Sequence, residues 1–353
     1  MTHPVYAGGR LRAYLEFLAA FLYFFFARSL AFHGARGLVG DAMNPLVEQA
    51  MLVFLLLLGY STMGFWMNRQ EHPMREQGLP LRPGWPREAG LGLAAGWAVA
   101  LVCVLPLAIF GGIAISITLQ ASAWAWLIAD AAFFALFALA EEIAFRGYAF
   151  QRFVHAVGPA GAAFGFAAIY AILQSLVPGA SRASFAVSFL LALVLSACYL
   201  RTRALWLGWG LNFAWKASRA LLFGLAVTGL TNHSPVVEGD AMGPLWLSGG
   251  AFGLDGSWLA FMALLLALPV VFRLTRDLDY RYNAPVIVPG GIPVDLDAIA
   301  RAQHDAAMAP PAPAAPGLVQ ILNAGNEGTP DQGNGQSGPE GTSSQANHPT
   351  AKS

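Results

Sequence analysis

The sequence has little charge. Only 11 % of its 353 residues are charged, whereas 56 % are hydrophobic; a typical soluble domain has about 25 % charged residues. This composition excludes an ordinary soluble enzyme and indicates a protein that lies in a lipid bilayer. The formal net charge is zero and no basic stripe is present, so nucleic acid is not an expected partner.

Cysteine is scarce, and histidine is missing from the apolar runs. Cys103 and Cys198 each lie inside an apolar run, where a thiol behaves as a small hydrophobe, so a disulfide framework is excluded. The seven histidines lie in termini, in loops or at the ends of apolar runs. This excludes a serine protease whose Ser and His would lie on neighbouring membrane helices.

Long apolar segments are abundant. A helix needs about 20 apolar residues to cross a hydrocarbon core, and eight segments approach or exceed that length: 13–32, 46–67, 89–118, 123–150, 160–177, 184–200, 204–227 and 257–273. The sequence therefore predicts an all-α, polytopic transmembrane bundle of about eight spans. In the first segment the run between Glu16 and Arg28 is short, so an interfacial helix is an alternative there.

Arginine is distributed unevenly between the ends of these segments. Cytoplasmic loops carry an excess of basic residues, and an N-terminus inside the cell puts these residues there: Arg10, Arg12, Arg69, Arg75, Arg82, Arg87, Arg152, Arg201, Arg203, Arg276 and Arg281. The outer side then holds Arg36 and Arg182, with Arg28 at a span end. We predict a multi-pass protein of a bacterial-type inner (plasma) membrane, with both termini cytoplasmic.

The composition divides the chain into three parts. Residues 1–84 hold the first two spans and a cytoplasmic loop, and residues 85–276 hold the remaining spans. Residues 277–353 are rich in Pro, Gly, Ser, Asn and Gln, which predicts a disordered cytoplasmic tail because such a segment buries too little apolar surface. A short amphipathic helix is predicted at residues 294–308.

Polar side chains occur inside three predicted spans. They are Glu141, Glu142 and Arg146 in the fourth span, Gln174 in the fifth, and Asn212, Lys216 and Arg219 in the seventh. At about 1.5 Å per residue, Glu141, Gln174, Asn212 and Lys216 lie roughly 16–22 Å from the cytoplasmic ends of their spans. We expect one shared polar site that opens toward the cytoplasm. The alternative is that these groups only hold helices together.

Three ordered segments carry motifs: the string Glu141-Glu142-x-x-x-Arg146, residues 170–181 and residues 205–217. They resemble motifs of the CPBP family (CAAX-processing and bacteriocin-processing, or Abi) of intramembrane endopeptidases. The Glu-Glu-x-x-x-Arg string resembles the first motif. Residues 170–181 are similar to the second, an aromatic followed four residues later by His and then by Pro-x-Ala-Ser. Residues 205–217 are similar to the third, a His followed four residues later by Asn, and residues 248–257 resemble the loop before the last helix. The resemblance covers about residues 85–275 and implies a CAAX-protease-like fold.

The resemblance also implies roles for residues of this chain. Glu141 would be the general base, with Glu142 and Arg146 as its structural and electrostatic partners. Gln174 and Asn212 stand where the family has histidines that bind a metal or hold the oxyanion, and Lys216 stands where it has Asn. Amides are poor substitutes for imidazole and an ammonium repels a cation, so we expect no zinc or other divalent metal unless the family chemistry is retained. Glu141 and Glu142 bring two negative charges and Arg146 and Lys216 bring two positive ones, so the site can be neutral without a metal.

Three functions remain open from the sequence. The first is an inactive or impaired protease homologue that binds a membrane protein or a prenyl-like peptide without cutting it. The second is an active intramembrane endopeptidase that uses Glu141 as its base, although an ammonium beside a carboxylate makes it a weaker base. The third is a small-solute transporter that uses the charges at mid-membrane, for which no inverted repeat is visible.

Overall fold

The computed structural model of the chain describes residues 7–230 and 234–276. The chain divides into two compact units, residues 1–284 and 285–353, and every described residue belongs to the first. The predicted tail begins at residue 277. It therefore lies outside the described residues, as does the amphipathic helix predicted at 294–308.

Most of the described residues are helical, which confirms the predicted fold class. The α-helices in chain order are α1 (Ala7–Leu38), α2 (Asn44–Asn68), α3 (Pro73–Glu76), α4 (Trp85–Pro106), α5 (Ala121–Arg146), α6 (Tyr148–Val157), α7 (Pro159–Ser175), α8 (Arg182–Thr202), α9 (Trp206–Ala217), α10 (Leu245–Ser248) and α11 (Trp258–Leu274). Each of the eight predicted spans overlaps one of the longer helices.

Length and composition distinguish the helices that could cross a membrane from shorter apolar helices. Five helical stretches are long and apolar enough to cross a membrane, namely Gly9–Leu38, Asn44–Asn68, Trp85–Phe110, Ala121–Val157 and Arg182–Thr202. The helices α7 and α11 are apolar but shorter. Helix α1 belongs to the first group, so by length and composition the first segment is a candidate span.

The prediction of a third span over residues 89–118 is wrong at its end. Helix α4 stops at Pro106 and continues as a π-helical turn, Leu107–Gly111. The next residues form strand β1 (Ile113–Ile117), which pairs antiparallel with β2 (Val237–Ala241). The count of apolar residues did not reveal the strand, because isoleucine and alanine count as apolar in a helix and in a strand alike. The alternation of isoleucine with Ala and Ser in β1 has a period of two, which favours a strand.

The fourth and seventh predicted spans are also interrupted. The fourth, 123–150, breaks at Gly147, which separates α5 from the amphipathic α6. A Cβ at this glycine would lie 2.3 Å from the carbonyl oxygen of Ile143, so a side chain there would clash with the backbone. The seventh, 204–227, continues from α9 through a π-helical turn, Ser218–Leu222, and ends there. Gly224 follows with φ 63°, a left-handed conformation that ends a helix.

Glycine lets α4 and α9 approach each other closely. A Cβ at Gly92 or Gly96 would lie 2.2 Å from the carbonyl oxygen of Leu207 or Leu211. Gly210 on α9 faces α4 in the same way, 2.3 Å from the carbonyl oxygen of Ala89. Small residues four apart on a helix permit this kind of contact in membranes. The contact fixes the position of α9, which carries Asn212 and Lys216.

The apolar interior forms two large clusters. One lies among α1, α2 and the helices α5 to α8, and the other lies among α4, α8, α9 and α11. Helix α8 contributes to both clusters. The polar side chains of α5 and α9 bond a helix of the first cluster to a helix of the second.

Candidate intramembrane site

Glu141 on α5 is held by three hydrogen-bond donors. Its Oε2 atom accepts from Lys216 Nζ at 2.5 Å and from Asn212 Nδ2 at 2.8 Å. Its Oε1 atom accepts from the Tyr170 hydroxyl at 3.1 Å. All four residues are buried. Both oxygens of the carboxylate are therefore bonded and its charge is compensated inside the bundle, as burial of a charge requires.

Tyr170 connects Glu141 to Gln174. The Gln174 Nε2 atom donates to the Tyr170 hydroxyl at 2.9 Å, one helical turn along α7. Four of the predicted site residues thus lie in one hydrogen-bonded group, in which Tyr170 is the link to Gln174. We call Glu141, Tyr170, Gln174, Asn212 and Lys216 the Glu141 cluster.

Glu142 and Arg146 form a separate group beside this cluster. Glu142 Oε1 lies 3.4 Å from Arg146 Nη1, and Arg146 Nη2 donates to the carbonyl oxygen of Ala192 on α8 at 3.2 Å. Glu142 Oε2 has no hydrogen-bond partner among the described residues. A Cβ at Gly208 would lie 2.6 Å from this oxygen, so the glycine leaves room for it. The pair connects α5 to α8, and no hydrogen bond within the described ranges joins it to Glu141.

Another buried carboxylate, Asp255, lies in the loop before α11. Asp255 Oδ2 is 3.1 Å from Arg219 Nη1, and Oδ1 accepts from Trp215 Nε1 at 3.0 Å. The backbone N–H and the hydroxyl of Thr228 also donate to Oδ2, at 3.1 and 3.2 Å. Arg219 lies over the Trp215 ring, 3.8 Å from its centroid. We call these four residues the Asp255 cluster; it ties the loop at residue 228 to the end of α9.

A cavity of about 420 Å³ adjoins the Glu141 cluster. Glu141, Tyr170 and Gln174 line it, whereas Asn212 and Lys216 are not among its lining residues. Most of the other lining side chains are apolar and come from the second half of α1, the first half of α2, α5, and the end of α7: Phe24, Phe25, Leu52, Phe137, Phe145, Leu173, Leu176 and Val177. The cavity thus has an apolar wall and a polar end.

The mouth of the cavity lies at one end of the bundle. Its exposed residues Phe25, Arg28 and Leu176 lie toward the C-terminal ends of α1 and α7. With the N-terminus inside, as the arginines predict, these ends would face away from the cytoplasm, whereas the sequence also predicts a site that opens toward it. The structure is therefore compatible with one of these two predictions and not with both.

The side chains around Glu141 do not fit a divalent metal. Such a metal prefers imidazole, thiolate or carboxylate ligands, whereas the neighbours of Glu141 are an ammonium, an amide and a phenol. Within residues 7–230 and 234–276, no group of three His, Cys, Asp or Glu side chains could hold a metal ion. A cation at Glu141 would have to displace Lys216 from its ion pair.

Residues 119–218 match the family model described as type II CAAX prenyl endopeptidase Rce1-like. This segment is CAAX-protease-like. The match confirms the predicted resemblance over less than a third of the chain, and no curated protein and no solved structure matches the chain. The CAAX-protease-like segment runs from just before α5 to just after α9, so it contains the whole Glu141 cluster. Asp255 and the cavity walls from α1 and α2 lie outside it.

The sequence did not predict the contacts of two residues, Tyr170 and Asp255. Tyr170 was counted only as the aromatic of the second motif, although its position four residues before Gln174 places both on one face of α7. Asp255 was seen only as part of a loop, because no periodicity links it to α9. The roles of all the predicted site residues in the CAAX-protease-like segment remain predictions.

Proposed function

We propose that this CAAX-protease-like membrane protein binds an apolar segment of a membrane partner beside Glu141 without cleaving it. One observation carries the proposal. The carboxylate that would have to activate water already accepts from three donors, and the shortest of these bonds, 2.5 Å, comes from an ammonium. A cleaving enzyme needs a base whose oxygen can reach a water molecule.

The arrangement of the donors supports the same conclusion. Peptide cleavage requires preorganised donors around the oxyanion that develops in the transition state. Asn212 and Lys216 are the strongest candidates by residue type, but they are buried on α9, are bonded to Glu141 and do not line the cavity. Tyr170 and Gln174 do line it, and each is engaged in the hydrogen-bonded chain that ends at Glu141.

The cavity indicates the class of partner. Its volume of about 420 Å³ lies within the range of about 300–1,000 Å³ that is usual for ligand pockets. Its aromatic and aliphatic walls favour a prenyl-like chain or the side chains of a transmembrane helix. The exposed side chains Phe25 and Leu176 at its edge would let such a group enter from the lipid.

We also propose the membrane and the orientation that the arginines predict, an inner membrane of bacterial type with the N-terminus inside. The support is that the arginine-rich segments meet at one end of the bundle. The residue 69–84 segment is bonded to α6 through Gln151 and to the turn after α8 through Leu205. Arg201 of α8 donates to Thr275 at the end of α11.

One observation favours a competing function. Glu141 lines the cavity, so a peptide bound there would lie close to a carboxylate. An endopeptidase that uses Glu141 as its base is the second candidate. The two functions differ in whether the bound peptide is cut.

A binding and cleavage assay tests the proposal. The protein in lipid nanodiscs is mixed with a fluorescent, farnesylated CAAX-type peptide; anisotropy reports binding and mass spectrometry reports the length of the peptide. We expect binding of an intact peptide. Leu173→Trp, which fills the cavity, should weaken binding about tenfold, whereas Ile172→Trp, the adjacent residue of α7 that is exposed outside the cavity, should not.

Two results would overturn the proposal. Cleavage that is lost in Glu141→Gln would make the chain an active endopeptidase. Equal binding by the Leu173→Trp and Ile172→Trp variants would show that the cavity is not the binding site.

A further inference from the structure

A second pocket, remote from Glu141, lies between the α2–α4 connection and the turn after α8. Its volume is about 420 Å³ and it is lined by His72, Arg75, Glu76, Pro80, Arg82 and Arg203. We infer that this basic pocket binds the phosphate group of an anionic phospholipid. The two pockets share no described lining residue, so the inference does not depend on binding beside Glu141, but it rests on the orientation proposed above.

The walls of the basic pocket are fixed by hydrogen bonds. Leu205 N–H donates to the Gly78 carbonyl at 2.7 Å, and Trp206 Nε1 donates to the Pro80 carbonyl at 2.9 Å. Gln151 Nε2 donates to the Glu76 carbonyl at 2.6 Å. Three different elements therefore hold the segment that supplies most of the lining residues, and the pocket is preformed.

The charges in the basic pocket are only partly compensated. Arg82 is bonded to the buried Glu88 at 2.9 Å and donates to the Thr202 carbonyl at 2.7 Å, so these contacts hold it in the wall of the pocket. Arg75 and Arg203 are exposed, and neither has an ion pair among the described residues. Among the described lining residues, Glu76 is the one acidic side chain. Two guanidinium groups beside a single carboxylate favour an anion, and the planar fork of arginine matches phosphate oxygens.

The surroundings favour a lipid as the source of this phosphate. Two exposed apolar side chains of the same segment, Met74 and Leu81, are 51 % and 76 % exposed. Trp85 packs on Trp206, with ring centroids 4.8 Å apart, beside the pocket; tryptophan is enriched where a membrane meets water. Basic pockets at the cytoplasmic ends of membrane helices bind anionic headgroups. Inorganic phosphate has no apolar part that could contact these side chains.

The backbone provides a matched control. Arg203 ends α8 in a left-handed conformation, φ 53°, and Arg69 ends α2 with the same φ. Glycine or asparagine is usual at such a position. Arg203 lines the basic pocket, whereas Arg69 does not. A substitution at Arg69 thus reproduces the charge and backbone effects of one at Arg203 outside the pocket.

Thermal unfolding in detergent tests the inference. The protein is titrated with phosphatidylglycerol, with phosphatidylcholine, or with inorganic phosphate at the same concentration. We expect phosphatidylglycerol to raise the Tm by several degrees and the other two to leave it unchanged. The double variant Arg75→Gln/Arg203→Gln should need about tenfold more phosphatidylglycerol for the same shift, whereas Arg69→Gln/Arg87→Gln should respond as the unmodified protein does.

Each contrary result overturns the inference in a different way. An equally weakened Tm shift in both double variants would mean that phosphatidylglycerol binds through the overall positive charge of this end of the bundle and not in the pocket. An equal shift with inorganic phosphate would make the ligand a soluble anion. No shift with phosphatidylglycerol would mean that the pocket takes no headgroup. The Tm of each variant in phosphatidylcholine shows that it is folded, and single Arg75→Gln serves if the double variant unfolds.

Discussion

Glu141 and Asp255 are buried carboxylates with the same kinds of partner in different surroundings. Each faces a cation from the helical stretch 206–222, Lys216 for Glu141 and Arg219 for Asp255. Each accepts from an aromatic side chain, the Tyr170 hydroxyl or the Trp215 indole, and from at least one further donor. By their hydrogen bonds alone, the two clusters are equivalent.

The cavity is what separates them. Glu141 lines it, whereas Asp255 does not and instead positions Thr228, one of the lining residues. A buried, neutralised carboxylate is therefore not in itself a sign of catalysis in this molecule, since the same device serves structure at Asp255. The comparison makes the Asp255 cluster an internal control for the Glu141 cluster.

The largest effect is expected from Asp255→Ala. This change leaves Arg219 buried without its counter-charge and removes the acceptor of three hydrogen bonds. We expect a loss of about 3–5 kcal/mol in the free energy of unfolding, measured by denaturation in detergent. A loss below about 1 kcal/mol would show that the ion pair does not hold this end of the bundle.

Lys216→Ala should cost less, about 2–3 kcal/mol, because Glu141 keeps its hydrogen bonds from Asn212 and Tyr170. The double variant Glu141→Gln/Lys216→Met removes both charges and should be more stable than Lys216→Ala. A double-mutant cycle measures the coupling, for which we expect about 1–3 kcal/mol. If neither Lys216→Ala nor Glu141→Ala changes stability in detergent, the ion pair is not a feature of the folded protein.

Much of the fold could be predicted because helical rise and apolar length are local properties. The rise of a helix predicts a common depth for Glu141, Asn212 and Lys216, and the structure has Asn212 and Lys216 within hydrogen-bond distance of Glu141. Their functional role remains a prediction. Strand β1 was missed because its isoleucines count as apolar whether they lie in a helix or in a strand.

The remaining features of the site depend on packing, which the sequence does not encode locally. Tyr170 was missed because its ring counts as apolar while its hydroxyl does the bonding. The direction in which the cavity opens depends on how α1 and α2 lie over α5, and no spacing within one segment predicts that. Asp255 meets Arg219 only because the loop before α11 folds back onto the end of α9.

Gly96→Ala tests the position of α9, on which both clusters depend. Lys216 lies on α9 and Arg219 lies in the turn that follows it. The added Cβ would lie 2.2 Å from the carbonyl oxygen of Leu211, so α4 and α9 must move apart. We expect a loss of about 1–3 kcal/mol in stability. Gly90→Ala on the same helix, where a Cβ meets nothing within 4 Å, is the control. Equal stability of the two variants would mean that α9 is not positioned by this contact.

Tyr170→Phe gives the smallest expected effect and the sharpest separation of the two clusters. It removes the hydrogen bond that the Tyr170 hydroxyl donates to the Glu141 carboxylate and the acceptor of Gln174, while the ring stays in place and Glu141 keeps its other two donors, so we expect a loss of about 1.5 kcal/mol. Because Tyr170 lines the cavity, the same change should alter binding of the farnesylated peptide, whereas Trp215→Phe, its counterpart at Asp255, should alter stability alone. A change in peptide binding that is the same in both variants would show that the cavity does not distinguish Glu141 from Asp255, and the comparison would fail.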